Sequence, residues 1–125
     1  MKIVFLDAAT MGDISFEPFE RLGDFVSYPT STPEEAKERV KDVDVLMINK
    51  VLVDKNLIDS APNLKLICIA ATGVNNIDVD YASSKGIPVR NVAGYSTDSV
   101  AQSTFMHILS LIGGGPYFDN SVKSG

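Results

Sequence analysis

The chain has 125 residues and a mass of 13.5 kDa, the size of one domain, and such a domain buries roughly two-thirds of the surface that its unfolded chain exposes. Hydrophobic residues make up 45% of the sequence and charged residues 22%, which excludes a wholly disordered chain. Eleven basic and sixteen acidic residues give a net charge of −5, the wrong sign for a surface that binds nucleic acid.

The single cysteine, Cys68, cannot form an internal disulfide and lies in an apolar run, so we expect a small buried thiol in a protein of the reducing cytoplasm. The sequence opens on a short apolar run that soon meets Asp7, and it holds no apolar segment of membrane-spanning length. We therefore expect no signal peptide, no membrane partner, no nucleic-acid partner and no metal site.

Short apolar runs alternate with amphipathic stretches, which is typical of a parallel sheet flanked by helices. The first, third and fourth of five predicted strands are nearly continuous in Val, Ile and Leu, as in strands buried on both faces, whereas the second and fifth are more polar and are placed at the edges. The five are Lys2–Asp7, Asp24–Tyr28, Val43–Asn49, Leu64–Ala71 and Pro88–Asn91.

Helices are predicted in the gaps between these strands. Thr32 followed by Pro33 and by Glu35 indicates a capped helix N-terminus. Gly23 and Gly86 are placed as helix stops, and Asp78 as a cap. The predicted helices are Phe16–Leu22, Thr32–Val40, Asp54–Ala61, Val79–Lys85 and a long one that opens at Thr97 or Asp98 and runs to Ile112.

Five parallel strands joined by right-handed crossovers predict an α/β three-layer sandwich, a flavodoxin-like sheet of order 2-1-3-4-5. In such sheets ligands bind at the carboxyl ends of the strands. The segments to consider are therefore 7–12, 49–51, 71–76 and 91–97.

Small residues and a glycine directly follow the fourth strand, in the segment 70–78. Free backbone N–H groups there, particularly those of Gly73 and Val74, could form a nest for a carboxylate or phosphate. A tight turn with Asp78 as helix cap explains the same residues equally well. In the second loop, 91–101, the N-terminus of the long helix favours the binding of an anion. Ordinary helix capping and a half-buried Tyr95 ring explain the same residues equally well.

These two loops resemble the D-isomer-specific 2-hydroxyacid dehydrogenase family. The motifs of that family, ATGVNN(I/V)D, xxGIPVxN and N(V)xGYSTxSVAxxTF, correspond to Ala71–Asp78, Gly86–Asn91 and Asn91–Phe105, in this order. The first strand and the Asn49-Lys50 step also match, so the resemblance spans nearly the whole chain.

The resemblance implies an NAD-dependent oxidoreductase that interconverts 2-oxo acids and D-2-hydroxy acids in a cleft between a substrate domain and a cofactor domain. It implies that backbone groups of the glycine loop hold the substrate carboxylate, and that one residue of this loop also touches the dinucleotide. The implied substrate-binding residues are Asn49, Lys50, Thr72, Gly73, Val74, Asn75 and Tyr95, and the implied cofactor-binding residues are Thr72 and Val100.

The sequence also departs from the family pattern. It contains no G-x-G-x-x-G, the fingerprint that seats a dinucleotide pyrophosphate, and none of the family's catalytic arginine, glutamate and histidine. His107, the one histidine, lies in the long helix and is interpreted as a packing or surface residue. We therefore predict no catalytic residue, no tight binding of NAD and a truncated or isolated substrate domain that is inactive by itself.

The predicted organisation is a substrate-binding domain over residues 1–112, followed by a glycine-rich turn and a tail, or a remnant of an inter-domain arm, over 113–125. An alternative is a stand-alone flavodoxin-like module without enzymatic activity, such as a response regulator, although the third strand ends on Asn49 and not on an aspartate. The long helix also exposes an apolar stripe, which predicts a homodimer through residues 97–112. The predicted stripe consists of Val100, Phe105, Ile108, Leu109 and Ile112.

Overall fold

A computed structural model describes all 125 residues. Five short parallel strands, numbered along the chain, form one sheet in the order β2-β1-β3-β4-β5. This topology confirms the predicted fold, including the edge positions of the second and fifth strands. Each strand is shorter than the predicted one because the residues at the ends of the apolar run do not pair with a neighbouring strand and form turns. The strands are β1 (Lys2–Phe5), β2 (Asp24–Ser27), β3 (Val45–Ile48), β4 (Leu66–Ile69) and β5 (Val89–Arg90).

Helices connect the strands. A 3-10 helix at Ala8–Met11 follows β1, and the α-helices are α1 (Glu17–Glu20), α2 (Pro33–Arg39), α3 (Lys55–Asp59), α4 (Val79–Ser84), α5 (Thr97–Ile112) and α6 (Gly115–Ser124). The predicted capping box is present, since the Thr32 hydroxyl accepts the Glu35 N–H and the Glu35 carboxylate accepts the Thr32 N–H. Asp78 caps α4 as predicted, by accepting the N–H of Tyr81.

The hydrophobic core lies on the face of the sheet that α2, α3 and α4 cover. Alternate residues of the central strands point to this face, as the pleat requires. They pack against apolar side chains of the three helices and their flanking loops. The members include Val4, Leu6, Leu46, Ile48, Ile67 and Ile69 from the strands, and Ala36, Val40, Leu57, Ile58 and Ala82 from the helices and loops.

The opposite face of the sheet carries a different cover. Around β1 and β2, the rings of Phe16, Phe19 and Phe25 pack together and Phe16 meets Phe5 edge to face, with centroids 5.7 Å apart. Gly23 precedes β2, and the structure gives a different reason for it than the expected helix stop. Its φ is not positive, but a Cβ there would lie 2.3 Å from the carbonyl oxygen of Met1.

The chain forms two compact units, Met1–Ala93 with the sheet and Gly94–Gly125 with α5 and α6. The boundary between these units falls after Ala93, whereas the predicted division falls after residue 112. The segment that was expected to be a turn and a tail contains helix α6. Gly114 adopts a left-handed φ of 64°, which ends α5, and Pro116 stands in the first turn of α6, where its missing N–H costs little. None of the helices is both long enough and apolar enough to cross a membrane.

Candidate functional site

A buried carboxylate organises the carboxyl end of β3. Asp7, only 4% exposed, accepts the backbone N–H of Asn49 at 2.8 Å, that of Val51 at 3.0 Å and also that of Lys50. Asp7 makes no ion pair, so the hydrogen bonds from these three amides compensate for the burial of its carboxylate. From the sequence, Asp7 was placed only at the end of the first predicted strand and at the start of the segment 7–12. A carboxylate directly after a buried strand was the signal that could have revealed this role.

The side chain of Asn76 holds the same segment from its other side. Its amide nitrogen donates to the carbonyl of Val51 at 2.8 Å and to that of Asn49 at 3.4 Å. In addition, the Val53 N–H donates to the Asn76 carbonyl at 2.8 Å and the Asp78 N–H to the Val53 carbonyl at 2.9 Å. The loops after β3 and β4 are thereby joined into one surface, which sequence reasoning did not foresee.

The loop after β4 presents backbone N–H groups without partners. Those of Thr72, Gly73, Val74 and Asn75 donate to no acceptor of the protein. A Cβ built on Gly73 would meet nothing within 4 Å, so open space lies over this part of the loop. The N–H groups of the predicted nest are therefore unpaired within the protein, and their role in ligand binding stays a prediction.

The same loop is held at both ends, so its open amides belong to an ordered segment. At one end the Val92 N–H donates to the Ala71 carbonyl at 3.0 Å, and the Asn91 side chain donates to the Thr72 carbonyl at 2.6 Å. At the other end the Ile77 N–H donates to the Val74 carbonyl at 2.9 Å. Asp78 caps α4, as the alternative of a tight turn expects, and the same loop leaves its four amides unpaired.

Among the other predicted site residues of the first unit, Asn49 is half-buried and its amide nitrogen donates to the Thr10 hydroxyl at 2.9 Å. Lys50 and Asn75 are exposed, and Lys50 forms no ion pair. Asp54, where the third helix is predicted to begin, caps α3. The Leu57 N–H on its carboxylate is the main reason that the pKa of Asp54 is lowered.

Two predicted site residues, Tyr95 and Val100, belong to the second unit. Both side chains are exposed, at 69% and 59%, so the alternative of a half-buried Tyr95 ring is wrong. Their assignments to substrate and to dinucleotide remain predictions. Cys68 is half-buried and not fully buried as expected, and burial raises the pKa of its thiol.

Comparison with known proteins decides the family. Residues 3–113 match the family model described as the catalytic domain of D-isomer specific 2-hydroxyacid dehydrogenases. The chain belongs to this family. A hydroxypyruvate reductase of Blautia hydrogenotrophica is 34% identical over 116 residues, which are 89% of this chain and 36% of that protein. A glycerate dehydrogenase of Methylorubrum extorquens is 33% identical over 125 residues, 99% of this chain and 40% of that protein.

Solved structures give the same relationship. A D-lactate dehydrogenase from Aquifex aeolicus, complexed with NAD and lactic acid, matches with a TM-score of 0.80 and 25% identity over 98% of this chain and 37% of its own. An acyclic imino acid reductase in complex with NADPH and D-Arg matches with a TM-score of 0.85 and 25% identity over all of this chain and 41% of its own. This member of the 2-hydroxyacid dehydrogenase family therefore spans about 35 to 41% of the length of such relatives.

A dinucleotide of the kind these relatives bind needs a glycine-rich turn that leads from a strand into a helix. The loop after β4 has one glycine and leads into α4, which is only six residues long. The run Gly113–Gly115 follows helix α5 and not a strand. The residues of this chain therefore do not fit a dinucleotide pyrophosphate.

Proposed function

We propose that this chain is a substrate-side domain of a D-2-hydroxyacid dehydrogenase and that its loop after β4 holds the carboxylate of a small 2-oxo or 2-hydroxy acid. The observation that carries the proposal is the set of unpartnered N–H groups at Thr72, Gly73 and Val74 in an ordered loop. Successive amides of this kind form a concave site of positive potential, to which a carboxylate is complementary. Family membership supports the same assignment.

Lys50 provides the charge that the amides lack. It follows β3, in the segment that Asp7 and Asn76 tie to the loop after β4, and its ammonium group has no partner within the chain. A free cation on the loop that is joined to the loop after β4 favours an anionic ligand over a neutral one. Asn49 and Asn75 supply amide groups for the remaining polar atoms of the acid. The assignment of Tyr95 to the substrate stays a prediction from the family resemblance.

Binding by this half-site is weak. A cleft with one wall leaves the ligand solvated, and the net charge of −5 opposes an anion at long range. We expect a dissociation constant on the order of 1 mM or above, which corresponds to about −4 kcal/mol or less favourable binding.

The proposal also includes catalytic inactivity of the chain by itself. Hydride transfer requires a positioned dinucleotide and a group that donates a proton to the oxo oxygen. The residues present do not fit the pyrophosphate, and the one histidine, His107, is exposed on α5. Thr72 and Val100 remain the proposed contacts to NAD in an enzyme with a cofactor domain, without tight binding to this chain. A cytoplasmic location is part of the same proposal, because the one cysteine is free and no disulfide exists.

The alternative of a response-regulator-like module is not favoured by the geometry. Its acidic site would need Asp7 at the surface, whereas the Asp7 carboxylate is buried and occupied by three backbone amides. No aspartate ends β3, where such a module needs its phosphate acceptor.

The test is an NMR titration of the labelled chain with pyruvate and D-lactate, with and without NADH, that follows the amides of residues 72–75 and 95. Saturable shifts of the Thr72, Gly73 and Val74 amides support the proposal, and acetate serves as the control for a bare carboxylate. Gly73→Ala fills the open space over the nest without a backbone clash, so it should weaken binding at least tenfold and leave the fold unchanged. A well-dispersed spectrum in which no amide of this loop moves would contradict the proposal.

Inactivity is tested separately. The chain is incubated with NADH and a panel of 2-oxo acids, and NADH absorbance is followed beside a full-length family enzyme as positive control. Turnover above the buffer rate by the purified chain would show that this part of the proposal is wrong.

A further inference from the structure

The carboxamide of Asn49 has a fixed orientation. Its nitrogen lies 2.9 Å from the Thr10 hydroxyl oxygen, and that hydroxyl donates to the Asp7 carbonyl oxygen at 2.7 Å. Two oxygens this close need a proton between them, so the one hydroxyl proton of Thr10 is committed to Asp7. Thr10 can then only accept from Asn49, which requires the NH2 group of the Asn49 amide, and not its oxygen, at this position.

This orientation leaves the Oδ1 atom of Asn49 as an unpaired acceptor. Of the Asn49 groups, the N–H, the carbonyl oxygen and the side-chain NH2 all have partners within the chain, whereas Oδ1 has none. Asn49 is half-buried, but no buried polar side-chain atom of the chain lacks a partner, so Oδ1 is open to solvent. An acceptor that is held in place and left unpaired discriminates between ligands with and without a donor.

Two further asparagines at this edge of the sheet show the same pattern. The NH2 group of Asn76 donates to the carbonyls of Val51 and Asn49. The NH2 group of Asn91 donates to the Thr72 carbonyl at 2.6 Å. The side-chain amides that are held in place here therefore leave their oxygens free, whereas the free donors are the backbone N–H groups of the loop after β4.

Asn49 and the unpaired backbone amides leave from adjacent strands. Ile48 pairs with Ile69 at the ends of β3 and β4, so Asn49 directly follows the last pair and the unpaired amides begin three residues after Ile69. Neighbouring strands lie about 4.8 Å apart. The Asn76 side chain, 3.4 Å from the Asn49 carbonyl, joins the two loops beyond the strand ends. Donors for a carboxylate and the acceptor of Asn49 therefore stand at neighbouring strand ends.

We propose that Asn49 makes this half-site select 2-hydroxy acids over 2-oxo acids, and that Thr10 is the positioning residue that presents the Asn49 oxygen. The hydroxyl group of a 2-hydroxy acid is a donor for Oδ1, whereas the oxo oxygen of a 2-oxo acid is an acceptor that would meet another acceptor. The inference rests on the proposed function, because it requires the carboxylate to bind at the loop after β4.

Lys50 restricts the donor further. Its ammonium group forms no ion pair within the chain and lies in the residue next to Asn49. A free cation favours the carboxylate of the ligand but opposes a second ammonium group on it. The donor that suits Asn49 is therefore the neutral hydroxyl of a 2-hydroxy acid, and not the charged amino group of a 2-amino acid.

The expected selectivity is that of a single neutral hydrogen bond. Such a bond changes an equilibrium constant by about two- to tenfold, and an acceptor that loses water without gaining a partner weakens binding further. We expect D-lactate to bind about three- to tenfold more tightly than pyruvate. Propionate, which has neither a donor nor an acceptor on that carbon, is expected between the two, and D-alanine is expected to bind more weakly than D-lactate.

NMR titrations of the labelled chain with these four acids measure the selectivity. The backbone amides of residues 72–74 report carboxylate binding, and the ratio of the dissociation constants reports the contact with Asn49. If all four acids shift these amides with equal dissociation constants, the selection by Asn49 is overturned and the proposed function stands. If no acid shifts them, the proposed function fails and this inference fails with it.

Variants of Thr10 separate positioning from stability. Thr10→Val keeps the shape of the side chain but removes the hydroxyl, so the Asn49 amide can turn and the preference for D-lactate over pyruvate should fall below about twofold. Thr10→Ser keeps the hydroxyl and should restore the preference. Thr30→Val is the matched control, since Thr30 is exposed and its hydroxyl makes no hydrogen bond within the chain. A merely structural role of Thr10 would weaken all four acids alike, and an unchanged ratio in Thr10→Val would overturn the positioning.

The Asn49 side chain also gives a readout that needs no ligand. Its NH2 protons are bonded to Thr10, so they should exchange with solvent more slowly than those of Asn75, which is exposed and has no side-chain hydrogen bond. Thr10→Val should remove this difference, and equal exchange in the wild-type chain would overturn the fixed orientation. Asn49→Ala keeps the backbone N–H on Asp7 but loses the acceptor, so D-lactate and pyruvate should then bind within about twofold of each other. A retained preference in that variant would show that Asn49 is not its source.

Discussion

The carboxylate of Asp7 accepts the backbone N–H of Val51 at 3.0 Å, although 44 positions separate the two residues. It joins the end of the first strand to the loop after the third, with two further amides on the same carboxylate. Because this loop carries Asn49 and Lys50, a buried residue that faces no ligand determines where two candidate ligand-binding residues stand.

Asp7→Asn is expected to destabilise the protein by about 2 to 4 kcal/mol, because hydrogen bonds to a charged group contribute about 1.5 to 3 kcal/mol each and the new amide nitrogen would face N–H donors. Urea denaturation measures the loss, and hydrogen exchange of the Asn49–Val51 amides locates it. Asp13→Asn is the control, since Asp13 is exposed. A change in unfolding free energy of less than about 0.5 kcal/mol for Asp7→Asn, within the range of ordinary surface substitutions, would refute this role.

Gly23→Ala is expected to cost about 1 to 3 kcal/mol, the range for overpacking, because the new methyl group would lie 2.3 Å from the Met1 carbonyl oxygen. That oxygen also accepts the Asp24 N–H at 2.9 Å, so the shift would disturb the pairing of β1 with β2. Gly73→Ala makes the same chemical change where a Cβ meets nothing within 4 Å, and it should be nearly neutral. Thermal and urea unfolding of both variants test the contrast, and equal losses would contradict it.

Thr32→Ala should lower the unfolding free energy by about 1 kcal/mol, the usual effect of losing an N-cap side chain. The Thr32 hydroxyl accepts the Glu35 N–H at 3.2 Å at the start of α2. Thr32→Ser keeps the hydroxyl and should recover most of the loss. If the serine variant is as unstable as the alanine variant, the hydroxyl is not the source of the effect.

Stability is expected to fall in acid, and Asp44 contributes to this fall. Its hydrogen bond with the Lys65 ammonium group, followed by the N–H of Lys2, lowers the pKa of Asp44. A lowered pKa in the folded state means that the contribution is fully present above the unfolded value of about 3.9 and is lost as pH falls through the folded value.

Glu35 also stabilises the fold less as the pH falls, because its pKa is lowered, chiefly by the hydrogen bond from the Thr32 N–H. Urea midpoints measured from pH 6 to pH 2 test the effect. In Asp44→Asn, the urea midpoint should fall less steeply with pH below about pH 4, which is near the pKa of an aspartate in the unfolded chain. The midpoint should still fall toward acid. An unchanged slope in that variant would count against the role of Asp44.

The sheet order and the helix caps could be predicted because their causes are local. The residues whose N–H groups Thr32 and Asp78 accept lie three positions after them, and continuous apolar runs are typical of strands in a parallel sheet that is covered on both faces. The unpaired amides around Gly73 follow from local sequence too, since small residues and a glycine come directly after a buried strand, whereas their role as an anion site stays a prediction. Helix α6 was not predicted, because the glycine run that precedes it suggests a flexible tail.

The sequence by itself determined the family, the parallel sheet and the segments that meet at its carboxyl edge, since periodicity, caps and motifs are properties of neighbouring residues. Only the tertiary structure decided that Asp7 and Asn76 hold the loop after β3 and that Gly23 avoids the Met1 carbonyl. These features depend on distances between residues far apart along the chain, and such distances exist only after the strands have paired.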